Sequence, residues 1–492
     1  MSLAEALEAY SRVMPSGAPM RFRIDPLDRL GVPVVSASLR LGDRPGEALS
    51  ANGYGATEDE AHIGALGELT EELRADLAIP RMPRMHATYA ELVTALGEAA
   101  VADPLTLGLP AGSPYRPDMP LVWVELKRLS TGETVLVPEE FIGVRAAHLR
   151  GKTPLVKTLT NGRGAGLTQK QALAHSLLEL VQRDGNGLQF RAMDQGLVLD
   201  LEGAELTPDV KALLERYRRA GVEVMVKLAS TDFGLVNVYV VGRDLSAGDD
   251  QPLLVTGCGE AVDPDRDRAL RKALLEFAGS RARKAIFHGP LSEVARVAPA
   301  DYMERIVPLV DVASQEPRAL HAMAEWARMP ASALRELTAC TLMRRRTLRF
   351  EDLPRVQGME DPSQRCDHVV RQLHAAGFDI LVADLSPPGH PVHVVKVLVP
   401  GLEVETMTYS RLGERNVKRL LERHDPLVGL GAPPPGAQPV RLTPEAEERL
   451  GGPAWFNVKL AEARVGRLYP LYREPDRHAV AALLAGRRFG GA

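Results

Sequence analysis

The sequence predicts an α+β fold, with helices packed on mixed or antiparallel sheets. Two observations carry that expectation. Runs rich in valine and leucine, bounded by Gly, Asp or Pro, recur along the chain, and helical patterns lie between them. The composition is that of a globular protein: 492 residues, 45% apolar and 25% charged, long enough for one large domain or two to three ordinary ones.

The strand-like runs are LVWVELKRL (121–129), VEVMVKLAS (222–230), LVNVYVVGRDL (235–245), QPLLVTGCG (251–259), FDILVADL (378–385) and HVVKVLVPG (393–401). PDVKALLERYRRAG (208–221) reads as a helix ending on a C-capping glycine. The N-terminus, MSLAEALEAYSRVM, reads as a short amphipathic helix rather than a signal peptide. GAPPPGAQP (431–439) is linker-like, and the stretch after it, including PAWFNVKLAEARVGRLYPLY, looks folded. The expected layout is a helical segment at 1–21, a main domain at 22–430 and a folded C-terminal extension at 440–492.

A net charge of −4 gives no basic excess for nucleic-acid binding. Cys258, Cys340 and Cys366 lie far apart, which argues against a disulfide framework and a cysteine zinc site and fits a reducing cytoplasm. No run of 18 or more apolar residues suggests a membrane span. The expectation is a cytoplasmic protein without nucleic-acid or membrane partners.

One pattern occurs three times. Thr57, Ala61 and Glu68 are spaced by four and then seven residues, as are Thr168, Ala172, Glu179 and Asp265, Ala269, Glu276. The leading Thr or Asp suits an N-cap, and Glu60 and Gln171 complete a capping box in the first two copies; Arg268 leaves it absent in the third. Glycines precede each copy: Gly53 and Gly55; Gly162, Gly164 and Gly166; Gly257 and Gly259. They read as turns in front of helices. A Glu eleven residues past the cap lies three turns along the helix, beyond the reach of the N-terminal dipole. Glu68 and Glu71 share a face, as do Glu179, Gln182 and Arg183. If the helices converge, the carboxylates need compensation, which Mg²⁺ bridging nucleotide phosphates supplies, with Arg183 and Arg281 on phosphate oxygens. The plainer alternative is a set of solvated helix faces.

At these residues the sequence resembles the YcaO family. PLDRLGVPVVSA (26–37), STGETVLVPEEF (130–141), TNGRGAGLTQKQALAHSLLELVQRD (160–184) and VPGLEVETMTYSRLGER (399–415) resemble family segments in order. The resemblance implies a fold that holds ATP without a Walker motif, with glutamates binding Mg²⁺ and arginines meeting phosphate. It also implies activation of a peptide backbone amide. The amide oxygen takes the γ-phosphoryl group, a nucleophile adds at the carbonyl carbon, and phosphate leaves. A neighbouring Cys, Ser or Thr then gives an azoline, sulfide a thioamide and an amine an amidine. Phosphorylation turns a poor leaving group into a good one, so the protein's tasks are positioning and charge neutralisation.

Carried over by position, the metal set is Glu68, Glu71, Glu179, Gln182 and Glu276. The nucleotide-binding set is Asn161, Gly164, Arg183 and Arg281. Five positions depart from the family pattern: Tyr54 stands for a lysine, Gly64 for a serine, Glu72 for an arginine, Gln182 for a glutamate and Gly279 for a glutamine. They make the site less favourable to a polyanion. Two readings follow: an ATP- and Mg²⁺-dependent enzyme forming azolines or thioamides, or a divergent, non-catalytic scaffold. The chain ends ALLAGRRFGGA, without the proline-rich tail of many azoline-forming members, and the resemblance begins near residue 22 with no fused peptide-clamp domain. A peptide or protein substrate, a separate ThiF-like or TfuA-like partner and a homodimer are expected.

Other motifs carry less. LRGKTP (149–154) has Ala146 where a P-loop needs glycine. His390 and His393, three apart on a strand, face opposite sides. Cys366 with His368 matches no catalytic spacing, and Cys258 reads as a small buried residue.

Overall fold

The computed structural model describes residues 3–15, 19–151, 153–187, 193–404 and 409–486. The chain divides into two compact units. The first comprises Met1–Glu72, Gln189–Met359 and Arg467–Ala492; the second comprises Leu73–Leu188 and Glu360–Gly466.

The first unit holds two sheets. An antiparallel three-stranded meander runs Met20–Arg23, Val34–Arg40, Ala48–Tyr54. A five-stranded sheet has the spatial order Thr256–Asp263, Val236–Asp244, Val222–Ser230, Leu197–Asp200, Arg346–Arg349, antiparallel except for its last, parallel pair. Val222–Ser230 and Val236–Asp244 fall where the valine-rich runs place them. QPLLVTGCG divides: Pro252–Val255 is a 3-10 turn and only Thr256 onward is strand. Pro252 fixes φ and starts that turn, and the buried leucines after it read as strand only because a buried apolar run carries no period of its own. The helix Arg266–His288 is buried nearly all round: Leu270, Leu274 and Phe277 enter the same core as Val238, Val240 and Tyr217. A helix without a polar face belongs in an interior.

The second unit is built on a six-stranded sheet. Its path runs Met85–Thr88, Pro120–Arg128, Leu381–Asp384, His393–Leu398, Arg163–Gly166, with Thr134–Pro138 also paired to Pro120–Arg128. Trp123, wholly buried, packs with Leu92, Val101 and Leu136 and donates its indole N–H to Ala87 O at 2.9 Å. GAPPPGAQP joins Val428–Leu430 to Gln438–Pro439, and both strands pair with Ala454–Phe456 in a small sheet. The segment after it passes from the second unit (through Gly466) to the first (from Arg467).

Among the described residues all the paired strands except one pair are antiparallel, so the α+β expectation holds. Among the described residues no helix is long and apolar enough to cross a membrane.

Candidate functional site

The three repeats are strand-to-helix units, and their glycines are not in loops. Gly53 lies in Ala48–Tyr54, Gly164 and Gly166 in Arg163–Gly166, and Gly257 and Gly259 in Thr256–Asp263. Their function is packing against helix backbone. A Cβ on Gly53 would stand 2.0 Å from Ala61 O and 2.2 Å from Ala65 N; on Gly164, 2.2 Å from Ala172 O and 3.0 Å from Ser176 N. On Gly259 it would stand 2.0 Å from Ala273 O and 2.3 Å from Phe277 N. Only glycine admits a strand this close. The expectation that Gly164 opens the backbone to a nucleotide is therefore corrected: the missing side chain makes room for the helix Gln169–Asn186.

The caps form as the spacing predicts, with one shift. Thr57 Oγ1 accepts from Glu60 N, and Glu60's carboxylate accepts from Ala56 N at 2.8 Å. Thr168 Oγ1 accepts from Gln171 N, and Gln171 Oε1 accepts from Leu167 N at 3.0 Å. In both copies the side chain reaches the N–H one residue before the cap. Asp265 accepts from Asp267 N and Arg268 N in the third.

Three turns on, the repeated spacing acquires a meaning in the first two copies. Glu68 accepts from Asn52 N at 3.0 Å, and Glu179 accepts from Gly162 N at 2.9 Å. Glu68 caps an N–H of the strand Ala48–Tyr54, and Glu179 caps the N–H just before the strand Arg163–Gly166. The third copy is one helical turn out of step. Six residues separate Gly259 from its cap, against four in the other copies, so Gly259 packs on Ala273 rather than Ala269. The strand N–H, that of Cys258, is then met by Ser280 Oγ at 3.0 Å, and Glu276 is released from that duty. Tyr54 takes it up, donating its hydroxyl to Glu276 Oε2 at 2.9 Å.

In the first unit these groups form a charged cluster. Burial holds the Tyr54 phenol well above its usual range, and Glu276 and Glu68 raise it further. The ring fits because position 279 is glycine: a Cβ there would stand 2.9 Å from Tyr54 Cδ1. The two departures Tyr54 and Gly279 are thus a matched pair. Arg283 is held above its ordinary range chiefly by Glu474, with Glu276 and Glu68 adding to it. Its guanidinium pairs with Glu474 at 3.4 Å, and His288 Nε2 reaches the same carboxylate at 3.3 Å. Burial opposes ionisation of Glu474, but Arg283, His288 and Lys284 hold it well below the usual carboxylate range. Arg477 donates to Ser36 Oγ at 2.9 Å and Ser38 Oγ at 3.2 Å, with its guanidinium 4.2 Å from the Phe287 ring centroid. Burial pushes Arg477 down; Tyr302, Glu68 and Glu72 act to raise it.

Two expected residues stand elsewhere. Arg281 was assigned to phosphate, but it is 0% exposed. Its guanidinium is committed to Asp28 (2.8 Å), Asp244 (2.8 Å) and Leu254 O. The correction is two residues along: Arg283, not Arg281, faces the carboxylates. Glu71 is buried, and its charge bears on Tyr10, whose phenol is raised first by burial and then by Glu71.

In the second unit, Glu179 and Arg183 pair at 3.6 Å, and Gln182 is buried beside them in sequence. Asn161 donates Nδ2 to Val404 O at 2.6 Å and accepts from Lys396 Nζ through its carbonyl. Burial pushes the Lys396 ammonium down to about 7, Arg163 acting the same way and Glu179 against it. The late signature residues support the same helix. Glu403 accepts from Gly413 N and Asn416 N, capping the helix Glu414–Glu422, and Arg415 pairs with the buried Asp184 at 2.9 Å. Lys152 of LRGKTP, residues 405–408 of the late segment and the final RRFGGA after Gly486 lie outside the described residues.

Sequence reasoning missed Glu474, Arg477 and Arg283. No repeat or motif marks the first two, since they come from the far end of the chain. Arg283 was legible only as a lysine- and arginine-rich helix end. Among the described residues, no three His, Cys, Asp or Glu side chains form a ready-made metal site.

Comparison with known proteins agrees with this architecture. The family model described as YcaO cyclodehydratase, ATP- and Mg²⁺-binding, matches residues 52–403. An uncharacterised protein of Methanothermobacter thermautotrophicus is 29% identical over 420 residues, covering 84% of this chain and 97% of its own. A Rhizobium leguminosarum bv. trifolii protein, described as uncharacterised and lying in the tfuA 3′ region, is 26% identical over 409 residues, covering 80% and 86%. Among solved structures, YcaO from Methanopyrus kandleri bound with AMPPCP and Mg²⁺ superposes with a TM-score of 0.56 at 21% identity, covering 84% of this chain and 94% of that one. A heterocyclase in complex with substrate and cofactor gives 0.62 at 17% identity, covering 86% of this chain and 55% of that one, so this chain spans about half the heterocyclase's length. With 52–403 matched, the chain belongs to the YcaO cyclodehydratase family, an ATP- and Mg²⁺-binding family.

Proposed function

We propose that this protein uses ATP and Mg²⁺ to activate a backbone amide of a peptide or protein, en route to an azoline or a thioamide. The observation that carries the reading is the cluster of the first unit, where Glu68 and Glu276 act on Arg283 and Glu68 and Glu72 on Arg477. The donor set fits the cofactors. Carboxylates and an amide oxygen suit a hard cation such as Mg²⁺, and guanidiniums suit phosphate. In the first unit Glu68 and Glu276 are the proposed oxygen ligands and Arg283 and Arg477 the proposed phosphate-facing cations; in the second unit, taken by itself, Glu179, Gln182 and Arg183 offer the same kinds of group. Arg283 and Arg477 make up for the lysine and arginine that Tyr54 and Glu72 replace. When bound, ATP supplies the phosphoryl group that makes the amide oxygen a leaving group. The chain's own task is to neutralise charge and hold the reacting groups in line. The relative named for its place beside tfuA supports a separately encoded partner that serves the substrate.

A second reading, a scaffold without catalysis, is favoured by one observation: Tyr54 already occupies a carboxylate oxygen of Glu276. Calorimetric titration with a non-hydrolysable ATP analogue plus Mg²⁺ decides between them. Binding that weakens at least tenfold in Glu276→Gln and in Arg283→Ala supports the enzyme. No binding by the folded wild-type protein rejects it in favour of the scaffold.

A further inference from the structure

The five-stranded sheet of the first unit ends on an edge with chemistry of its own. Arg346–Arg349 is the last strand. It pairs in parallel with Leu197–Asp200 on one side and, among the described residues, with no strand on the other. The sequence through it is MRRRTLR (343–349), with four arginines among the six residues from Arg344 to Arg349. All four are exposed, and so is Thr347; Leu348 is partly buried against the core that Leu197 also meets.

One bond sets the direction of the backbone. Arg346 donates its N–H to Gly196 O at 3.2 Å, toward the neighbouring strand. Main-chain groups alternate sides along a strand, so Thr347 turns its N–H and C=O outward. Side chains alternate between the faces of the sheet. Arg346 shares the core face with Leu348, and Arg345 and Arg349 share the opposite face with Thr347. Guanidiniums therefore flank the open edge on both faces.

The chain as a whole has 64 acidic residues against 60 basic ones, yet this edge is left short of anions. Arg349 pairs with Glu351 at 2.6 Å, and Arg345 Nε donates to the Met343 sulfur at 3.0 Å. Among the described residues no carboxylate pairs with Arg344, Arg345 or Arg346. Two edges of this kind repel, which keeps copies of the chain from pairing here. A strand of opposite charge is attracted instead. A nucleic-acid backbone would suit the guanidiniums but offers no donor to the outward C=O of Thr347. A peptide brings N–H and C=O groups at the strand repeat and carboxylates as well.

We propose that this edge is a docking surface for an acidic polypeptide segment of a partner protein, bound as an added, extended strand with carboxylates on both of its faces. Main-chain bonds to Thr347 hold the segment, and Arg344, Arg345 and Arg346 select its charge. Four strand spacings, about 19 Å, separate the edge from Thr256–Asp263, the strand on which the Glu276 helix packs. The edge thus docks its partner at a distance from that helix. The assignment uses no residue of the nucleotide site, so it stands or falls apart from that reading.

The test is fluorescence anisotropy with the whole protein at low salt. The labelled probe is a peptide of three Glu-Glu-Val repeats, which places acids on both faces of a strand. Its controls are the same peptide N-methylated at every amide, a peptide of Lys-Lys-Val repeats and a thymidine oligonucleotide of equal charge. The acidic peptide is expected to bind. N-methylation, which keeps the charge and removes the strand donors, weakens it at least tenfold, and the lysine peptide and the oligonucleotide bind at least tenfold more weakly too. Arg344→Glu combined with Arg346→Glu, both exposed changes, abolishes binding. Thr347→Pro, whose lost N–H faces outward and leaves the bonds to Leu197–Asp200 in place, weakens it several-fold. Circular dichroism and the urea midpoint establish that both variants are folded. Equal affinity for the N-methylated peptide overturns the added strand, and equal affinity for the oligonucleotide overturns the polypeptide partner. Binding that survives the double arginine change, or a folded wild-type protein that does not bind the acidic peptide, overturns the assignment outright.

Discussion

The second and third repeats share a sequence rhythm and differ in packing register. In the second, Gly164 meets Ala172, and Glu179 is spent on the Gly162 N–H. In the third, two more residues between glycine and cap slide the contact one turn along; Ser280 takes the strand N–H and Glu276 is handed to Tyr54. A glutamate at the same sequence spacing thus has a structural task in one copy and is available to a neighbouring side chain in the other. Equal spacing is not equal surroundings: spacing fixes a helix face, whereas the glycine contact fixes which turn of that face meets the strand.

The largest effect expected from breaking this comparison is at Arg281. Its neighbour by two, Arg283, is partly exposed, while Arg281 is buried between two carboxylates. Arg281→Ala takes the guanidinium from the buried Asp28 carboxylate and leaves Asp244 with Arg29 alone of its two arginines, and it costs about 3–5 kcal/mol in urea unfolding. Arg283→Ala changes stability little and is read instead in nucleotide affinity. Next come the glycines. Gly164→Ala and Gly259→Ala each force a methyl to within about 2 Å of helix backbone, a loss of roughly 3 kcal/mol by thermal or denaturant unfolding. A similar loss at both confirms the one-turn offset, because a register aligned on the caps would leave only one of them tight.

Smaller effects sharpen the picture. Tyr54→Phe removes the hydroxyl donor to Glu276 and costs about 1 kcal/mol. If Glu276 serves Mg²⁺, the same change tightens binding of the Mg²⁺–nucleotide analogue; unchanged affinity would speak for the scaffold. The pH profile tests the second unit. Burial, then Asp184, raises the Glu403 carboxyl to about 7 from an ordinary 4.5. Because its folded value lies above its unfolded one, its contribution is full below about 4.5 and is lost as the pH rises through 7. Glu403→Gln should flatten the decline in stability between those values, measured by urea unfolding at several pH values. A profile identical to wild type would show that another group sets the slope.

Much of the fold was legible. Valine-rich runs marked the long strands, and Thr57, Thr168 and Asp265 marked three real caps, because caps and strand composition are local properties. The site was legible in part. Glu68, Glu179 and Glu276 stood out through their spacing, and the family followed from motifs. What escaped was non-local. Whether Arg281 or Arg283 faces the carboxylates depends on which side of a largely buried helix each one takes, and a helix without a continuous polar face gives no phase to read. The glycines read as turns because a strand packed directly on helix backbone has the same composition as a loop. Glu474 and Arg477 are close to the cluster only because the chain returns to the first unit after Gly466.

That return bears on how the protein is handled at the bench. The matched family region stops at residue 403, yet Arg283 and His288 share a carboxylate supplied by residue 474. A recombinant fragment trimmed to the family boundaries would leave the guanidinium and the imidazole without their anion and open the core that Ala479 and Val480 close. Such a fragment would report on a damaged protein. Sequence-family limits mark what evolution has kept alike; the boundaries for expression are set by which residues must fold together.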